Sequence, residues 1–86
     1  MNGYEIRFTR SAEKEFDDFS TKLKQRLAVA IDRLAAEPRH RGVRKLEGAD
    51  DMYRIRVGDY RVIYMIDDEA RLVHVTGVRH RREAYD

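Results

Sequence analysis

Residues 53–64, Tyr-Arg-Ile-Arg-Val-Gly-Asp-Tyr-Arg-Val-Ile-Tyr, alternate apolar and basic side chains on either side of a Gly-Asp pair. Period-two alternation interrupted by Gly-Asp is the pattern of a β-hairpin with a tight turn. In the first arm Tyr53, Ile55 and Val57 share one face, and Arg54 and Arg56 the other. In the second arm Tyr60, Val62, Tyr64 and Ile66 share a face, opposite Arg61, Ile63 and Met65. A two-residue turn at Gly58-Asp59 pairs Val57 with Tyr60 and brings Arg56 beside Arg61. Like charges opposed across strands repel, so the fold alone does not call for three arginines there. Two readings stand: a solvated face, or a site for an anion whose oxygens the planar guanidinium forks fit.

The flanking sequence supplies the rest of a small domain. Tyr4–Phe8 alternates and predicts a half-buried strand. Ala12, Phe16, Phe19 and Leu23 form one helical stripe, with Thr9 or Ser11 as cap, and Leu23, Leu27, Ile31 and Leu34 form a second. Ser20 and Thr21 punctuate the two helices. Glu37 precedes the only proline, Pro38, and so closes the second. A polar loop follows, with a short extended piece around Val43–Leu46. Strands are expected at Met52–Val57, Tyr60–Ile66 and Leu72–Val78. The order β-α-α-β-β-β predicts an α+β fold, a single domain over residues 1–86 with two N-terminal helices on one face of a small antiparallel sheet. The apolar strand faces must meet the helices, which leaves Arg54, Arg56 and Arg61 together on the uncovered face.

Composition narrows the function classes. The 86 residues carry 18 Lys and Arg against 16 Asp and Glu, and no cysteine. The absence of cysteine removes disulfides, thiol catalysis and Cys-ligated zinc. With no signal-like apolar run at the start and no segment of membrane-spanning length, the expectation is a cytoplasmic protein with no membrane association. The net charge of +2 is small, so the distribution of charge decides more than its sum. After the last expected strand, Arg79, His80, Arg81, Arg82 and Tyr85 follow in quick succession. That strand can deliver Arg79 to the arginine face, and arginine with an aromatic ring suits a nucleotide. In the loop, His40 lies among Arg39, Arg41, Arg44 and Lys45, a set that either touches RNA phosphates or is solvated. His74 shares alternation with Leu72, Thr76 and Val78 and is expected at the core or its margin as a structural histidine. Three scattered histidines do not form a metal site.

The hairpin, the following hydrophobic strand and the ending "VRHRREAY", with the leading strand, the "TRSAEKEF" helix and the second helix closed by "EPRHRG", resemble the RelE branch of the RelE/ParE toxin superfamily. The resemblance implies a toxin of a type II toxin–antitoxin system that cleaves messenger RNA in the ribosomal A site, without metal or other cofactor. It implies a RelB-like antitoxin encoded adjacently, a hetero-oligomer with it, and contact with the ribosome and its 16S RNA. Carried onto matching positions, Arg54 and Arg56 fall in the paired basic places and Arg61 in the arginine place of the second arm. Arg79 matches the arginine before the tail, and Tyr85 the terminal tyrosine. Some members carry lysines where Arg54 and Arg56 stand here. The catalytic candidates are Arg61, Arg79, Tyr85 and His80. The phosphate-binding candidates are Arg54, Arg56, Arg81, Arg44 and Lys45. Arginine keeps its proton near neutral pH, so the general base is left to Tyr85 or His80. The alternatives are a ParE-like toxin that inhibits DNA gyrase without catalysis, and an inactive homologue that chiefly binds its antitoxin.

Overall fold

The computed structural model describes residues 3–48 and 51–80. Strand β1 (Glu5–Phe8) leads into helix α1 (Arg10–Asp17) and helix α2 (Thr21–Ala36), followed by β2 (Arg44–Lys45), β3 (Met52–Val57), β4 (Tyr60–Asp67) and β5 (Leu72–His80). The strands form one sheet in the order β1-β5-β4-β3-β2. The expected α+β architecture is present. The meander β3-β4-β5 is antiparallel, and β1 adds to it parallel to β5, so the sheet is mixed.

Local chemistry sets the helix boundaries. Thr9 Oγ1 accepts a hydrogen bond from the Ala12 N–H, and Ser20 Oγ from the Leu23 N–H, both at 3.2 Å. Each satisfies a donor that a helix start leaves unpaired. Glu37, held extended before Pro38, stops α2. The stripe Leu27, Ile31 and Leu34, with Ala12 of α1, packs on Ile55, Val62, Tyr64, Ile66, Val73, Val75 and Val78 of the sheet. Tyr64 is fully buried, and its hydroxyl donates to the Pro38 carbonyl at 2.7 Å. This bond ties the exit of α2 to the sheet centre. Burial pushes the Tyr64 phenol well above the usual tyrosine range, so it stays protonated.

Strand β5 departs from simple alternation. Ile63 pairs with Gly77, but Tyr64 pairs with Val75, so Thr76 is an extra residue in a bulge. Thr76 Oγ1 donates to the Ile63 carbonyl at 3.2 Å. Before the bulge, Val73 and Val75 face the helices; after it, Val78 does. The expectation for His74 is therefore corrected: it pairs with Met65 and with Arg7, on the face away from the helices. Strand β5 also runs to His80, so Arg79 and His80 belong to the strand rather than to a tail.

At the end of the sheet that carries the β4–β5 turn, a polar clasp closes the loop after α2. Arg39 donates two hydrogen bonds to Asp68, at 3.0 and 2.9 Å, and a third to the Tyr53 hydroxyl at 3.2 Å. The Tyr4 hydroxyl donates to the same Asp68 carboxylate at 2.7 Å. Arg39, read from sequence as one of a basic set, is thus a scaffold residue. These bonds, that from Arg39 first, hold the Asp68 carboxyl down at about 2. A carboxyl depressed in the folded state stabilises that state above its unfolded pKa of about 4. The contribution disappears as pH falls through about 2. Asp68→Asn is expected to flatten the fall in stability across that acid window, measured as urea midpoints at successive pH values. Tyr64→Phe orphans a buried carbonyl and is expected to cost about 1–3 kcal/mol in the same assay at neutral pH.

Candidate nucleic-acid interface

The hairpin register builds the site. Val57 pairs with Tyr60 and Arg56 with Arg61 across the two-residue turn, as the sequence predicts. Gly58 makes this turn possible with φ of +60°, in the left-handed region that glycine tolerates. A Cβ there would stand 2.9 Å from an Arg26 guanidinium nitrogen, because Arg26 reaches from α2 across the turn.

Two cross-strand rows result. One runs from Arg44 on β2 to Arg54 on β3 and Ile63 on β4; the other runs from Arg56 to Arg61 to Arg79. The bulge at Thr76 is what returns Arg79 to the same side as Arg61. Arg44, Arg54, Arg56 and Arg61 line a depression of about 80 Å³ with Gly42, and among the described residues no carboxylate lines it. Its depth is uneven. Arg61 is only 8 % exposed, although its face was expected to be uncovered, whereas Arg56 and Arg44 are exposed. Arg61 is thus the recessed floor and the others its rim.

Arg79 has a partner that sequence reading missed. Strand β1 ends at Phe8 while β5 continues, and α1 takes the vacated edge. From α1, Glu15 accepts a hydrogen bond from the Val78 N–H at 3.2 Å and forms an ion pair with Arg79. The Arg79 guanidinium passes over Gly77, close to where its Cβ would be. Glu15 therefore caps an open strand edge and anchors Arg79 at the side of the depression. The available signal was its place beside Phe16 in α1, but the strand it meets is 63 residues away in sequence. Glu15→Ala is expected to lose both contacts and lower stability by about 1 kcal/mol, whereas Glu15→Gln keeps an acceptor for Val78 and loses less. Urea unfolding of the two variants distinguishes the cap from the ion pair.

Other candidates fall elsewhere. His80 pairs with Tyr60, and its ring meets the Tyr60 ring edge-on, with centroids 5.2 Å apart. Tyr60 in turn meets Phe19 at 5.2 Å, so His80 lies on the helix side of the sheet, away from the arginine depression. Lys45 pairs with Tyr53 and takes the alternate side from Arg44. Arg81 and Tyr85 lie outside the described residues.

Known proteins share this fold. The family model described as ParE toxin of type II toxin–antitoxin system, parDE, matches residues 6–85. A putative RelE-like toxin protein of Escherichia coli is 29% identical over 87 residues, covering 96% of this chain and 90% of that protein. The toxin in the crystal structure of the archaeal RelE–RelB complex from Pyrococcus horikoshii superposes with a TM-score of 0.80 at 30% identity, covering 92% of this chain and 96% of that one. The isolated E. coli RelE toxin gives 0.82 at 29% identity, covering 95% and 90%. The chain belongs to the RelE/ParE superfamily of type II toxin–antitoxin toxins, in its RelE-like branch.

Proposed function

We propose that this toxin is a ribosome-dependent endoribonuclease that cuts messenger RNA in the A site by attack of a 2′-hydroxyl on the adjacent phosphate. The observation that carries the reading is the depression lined by Arg44, Arg54, Arg56 and Arg61, four guanidinium groups on one sheet face. A cavity of about 80 Å³ has room for a phosphate group, and guanidinium forks match its oxygens. Bringing cations of one sign together is unfavourable until an anion arrives.

In this reading the 2′-oxygen forms a bond to phosphorus as its proton passes to a base. The bond to the 5′-oxygen breaks, and that oxygen takes up a proton. The products are a 2′,3′-cyclic phosphate and a free 5′-hydroxyl. Arg61, recessed and in register with Arg56 and Arg79, stabilises the negative charge that builds on the phosphoryl oxygens. Arg54, Arg56 and Arg44 hold the scissile and flanking phosphates. The proton falls to Tyr85, because arginine cannot release one and His80 faces the helix side. Tyr85 follows Arg79 by six residues, a span of at most about 20 Å. A field of guanidinium groups lowers a phenol's pKa toward the range a base needs. The solved RelE–RelB complexes support an antitoxin partner of the RelB kind, and a toxin acting on ribosomes would work in the cytoplasm.

A second reading follows from the family model, whose description is ParE: inhibition of DNA gyrase by contact, with no cleavage. One experiment decides between them. Purified protein is added to translating ribosomes and message ends are mapped. Cleavage is expected within A-site codons, reduced by about 10²-fold or more at saturating ribosome in Arg61→Ala, and comparably in Tyr85→Phe. Intact messages together with blocked gyrase supercoiling would establish the second reading instead.

A further inference from the structure

The arginine depression has a neighbour. Between the outward face of α2 and the loop after it lies a groove of about 500 Å³, lined by Arg26, Arg33, His40, Arg41 and Arg56, with no carboxylate among the described residues that line it. Arg56 and Gly42 line both depressions. No ion pair among the described residues involves Arg26, Arg33, Arg41, Arg44, Arg54 or Arg56. The cationic surface is thus continuous from the hairpin face to α2.

The fold leaves the passage open. Strand β2 is two residues long and pairs only with Tyr53 and Arg54, so Ile55–Val57 of β3 has no strand on that side. Gly42, at the junction, has φ of +102° and no atom within 4 Å of where a Cβ would stand. The groove also carries Val29, 73 % exposed and the one large apolar side chain so exposed among the described residues. Its volume of about 500 Å³ falls in the range of small-ligand pockets, about 300–1,000 Å³, whereas the hairpin depression is phosphate-sized. Cations beside an apolar platform suit single-stranded nucleotides, whose phosphates and base faces need both.

We propose that the RNA strand gripped at the hairpin continues over Gly42 and the bare edge of β3 into this groove. There Arg26, Arg33 and Arg41 hold the phosphates of flanking nucleotides, and Val29 packs against a base. The inference rests on the RNA reading of the hairpin site, but the two are separable by experiment. The probe is 2′-O-methyl single-stranded RNA, which lacks the nucleophile, as a trinucleotide and as a longer oligomer, with affinity measured by fluorescence anisotropy at several salt concentrations and without ribosomes. The variants are Arg33→Gln/Arg41→Gln, Val29→Ser and, for the hairpin, Arg54→Gln/Arg56→Gln, each checked for an unchanged thermal midpoint.

The wild-type protein is expected to bind the longer oligomer at least tenfold more tightly than the trinucleotide. Arg33→Gln/Arg41→Gln abolishes that gain, lowers the salt slope for the longer oligomer by about 1.4, and leaves the trinucleotide unaffected. Val29→Ser reduces the gain without changing the slope. A gain and slope unchanged in Arg33→Gln/Arg41→Gln would overturn the proposal. So would a loss confined to antitoxin binding or to ribosome binding, which would give the groove to a protein or to ribosomal RNA. If Arg54→Gln/Arg56→Gln leaves trinucleotide affinity intact, it is the hairpin reading that fails.

Discussion

The two-residue turn at Gly58-Asp59 fixes the register on which the site depends. It opposes Arg56 to Arg61, and alternation then sends Tyr60, Val62 and Tyr64 into the core. A shift by one residue would exchange the two faces, burying arginines under the helices and exposing the tyrosine that ties α2 to the sheet. Core and cationic face are therefore two consequences of a single register. The bulge at Thr76 extends this to the third strand: without the extra residue, Val73, Val75 and Val78 could not all face inward, nor could Arg79 stand opposite Arg61.

Charges are divided by position. Three ion-paired arginines, Arg7 with Glu5, Arg39 with Asp68 and Arg79 with Glu15, stand at strand edges or turns. There they fasten loops and helices to the sheet. Arg44, Arg54 and Arg56 surround the recessed Arg61 on the outer face of the hairpin. Arg79 belongs to both groups, since Glu15 holds it while the strand aims it at Arg61. Under the proposed function, that compromise would place Arg79 before a phosphate arrives, at the expense of part of its field.

Sequence alternation was sufficient for the hairpin because turn, register and face are set locally within twelve residues. The helices were legible for the same reason, from stripe spacing, from Thr9 or Ser11 as a cap and from the break at Ser20-Thr21; the structure assigns the caps to Thr9 and Ser20. What sequence did not reveal depends on distant pairing. The parallel contact of β1 with β5 joins Glu5 to Leu72, and the Glu15 cap depends on β1 ending before β5 does. The faces of His74 and His80 were misread or left open because one inserted residue inverts parity, and a bulge carries no local signature as strong as Gly-Asp. The burial of Arg61 was hidden as well: alternation assigns a face but not a depth.

The arginine floor also constrains what kind of recognition it can perform. A phosphate-sized depression walled by guanidinium groups grips a backbone and fixes its position, and such contacts carry no information about base identity. Arginine holds charge but cannot move a proton at neutral pH, so grip, proton transfer and sequence choice must come from different parts of the assembly. In the proposed reading the hairpin supplies the first. A catalyst divided this way is inert toward RNA that is merely bound and requires the strand to be presented with its 2′-oxygen in line with the phosphorus. An ordered A site would provide such presentation, so the proposed dependence on the ribosome would follow from the site's chemistry as much as from any docking surface.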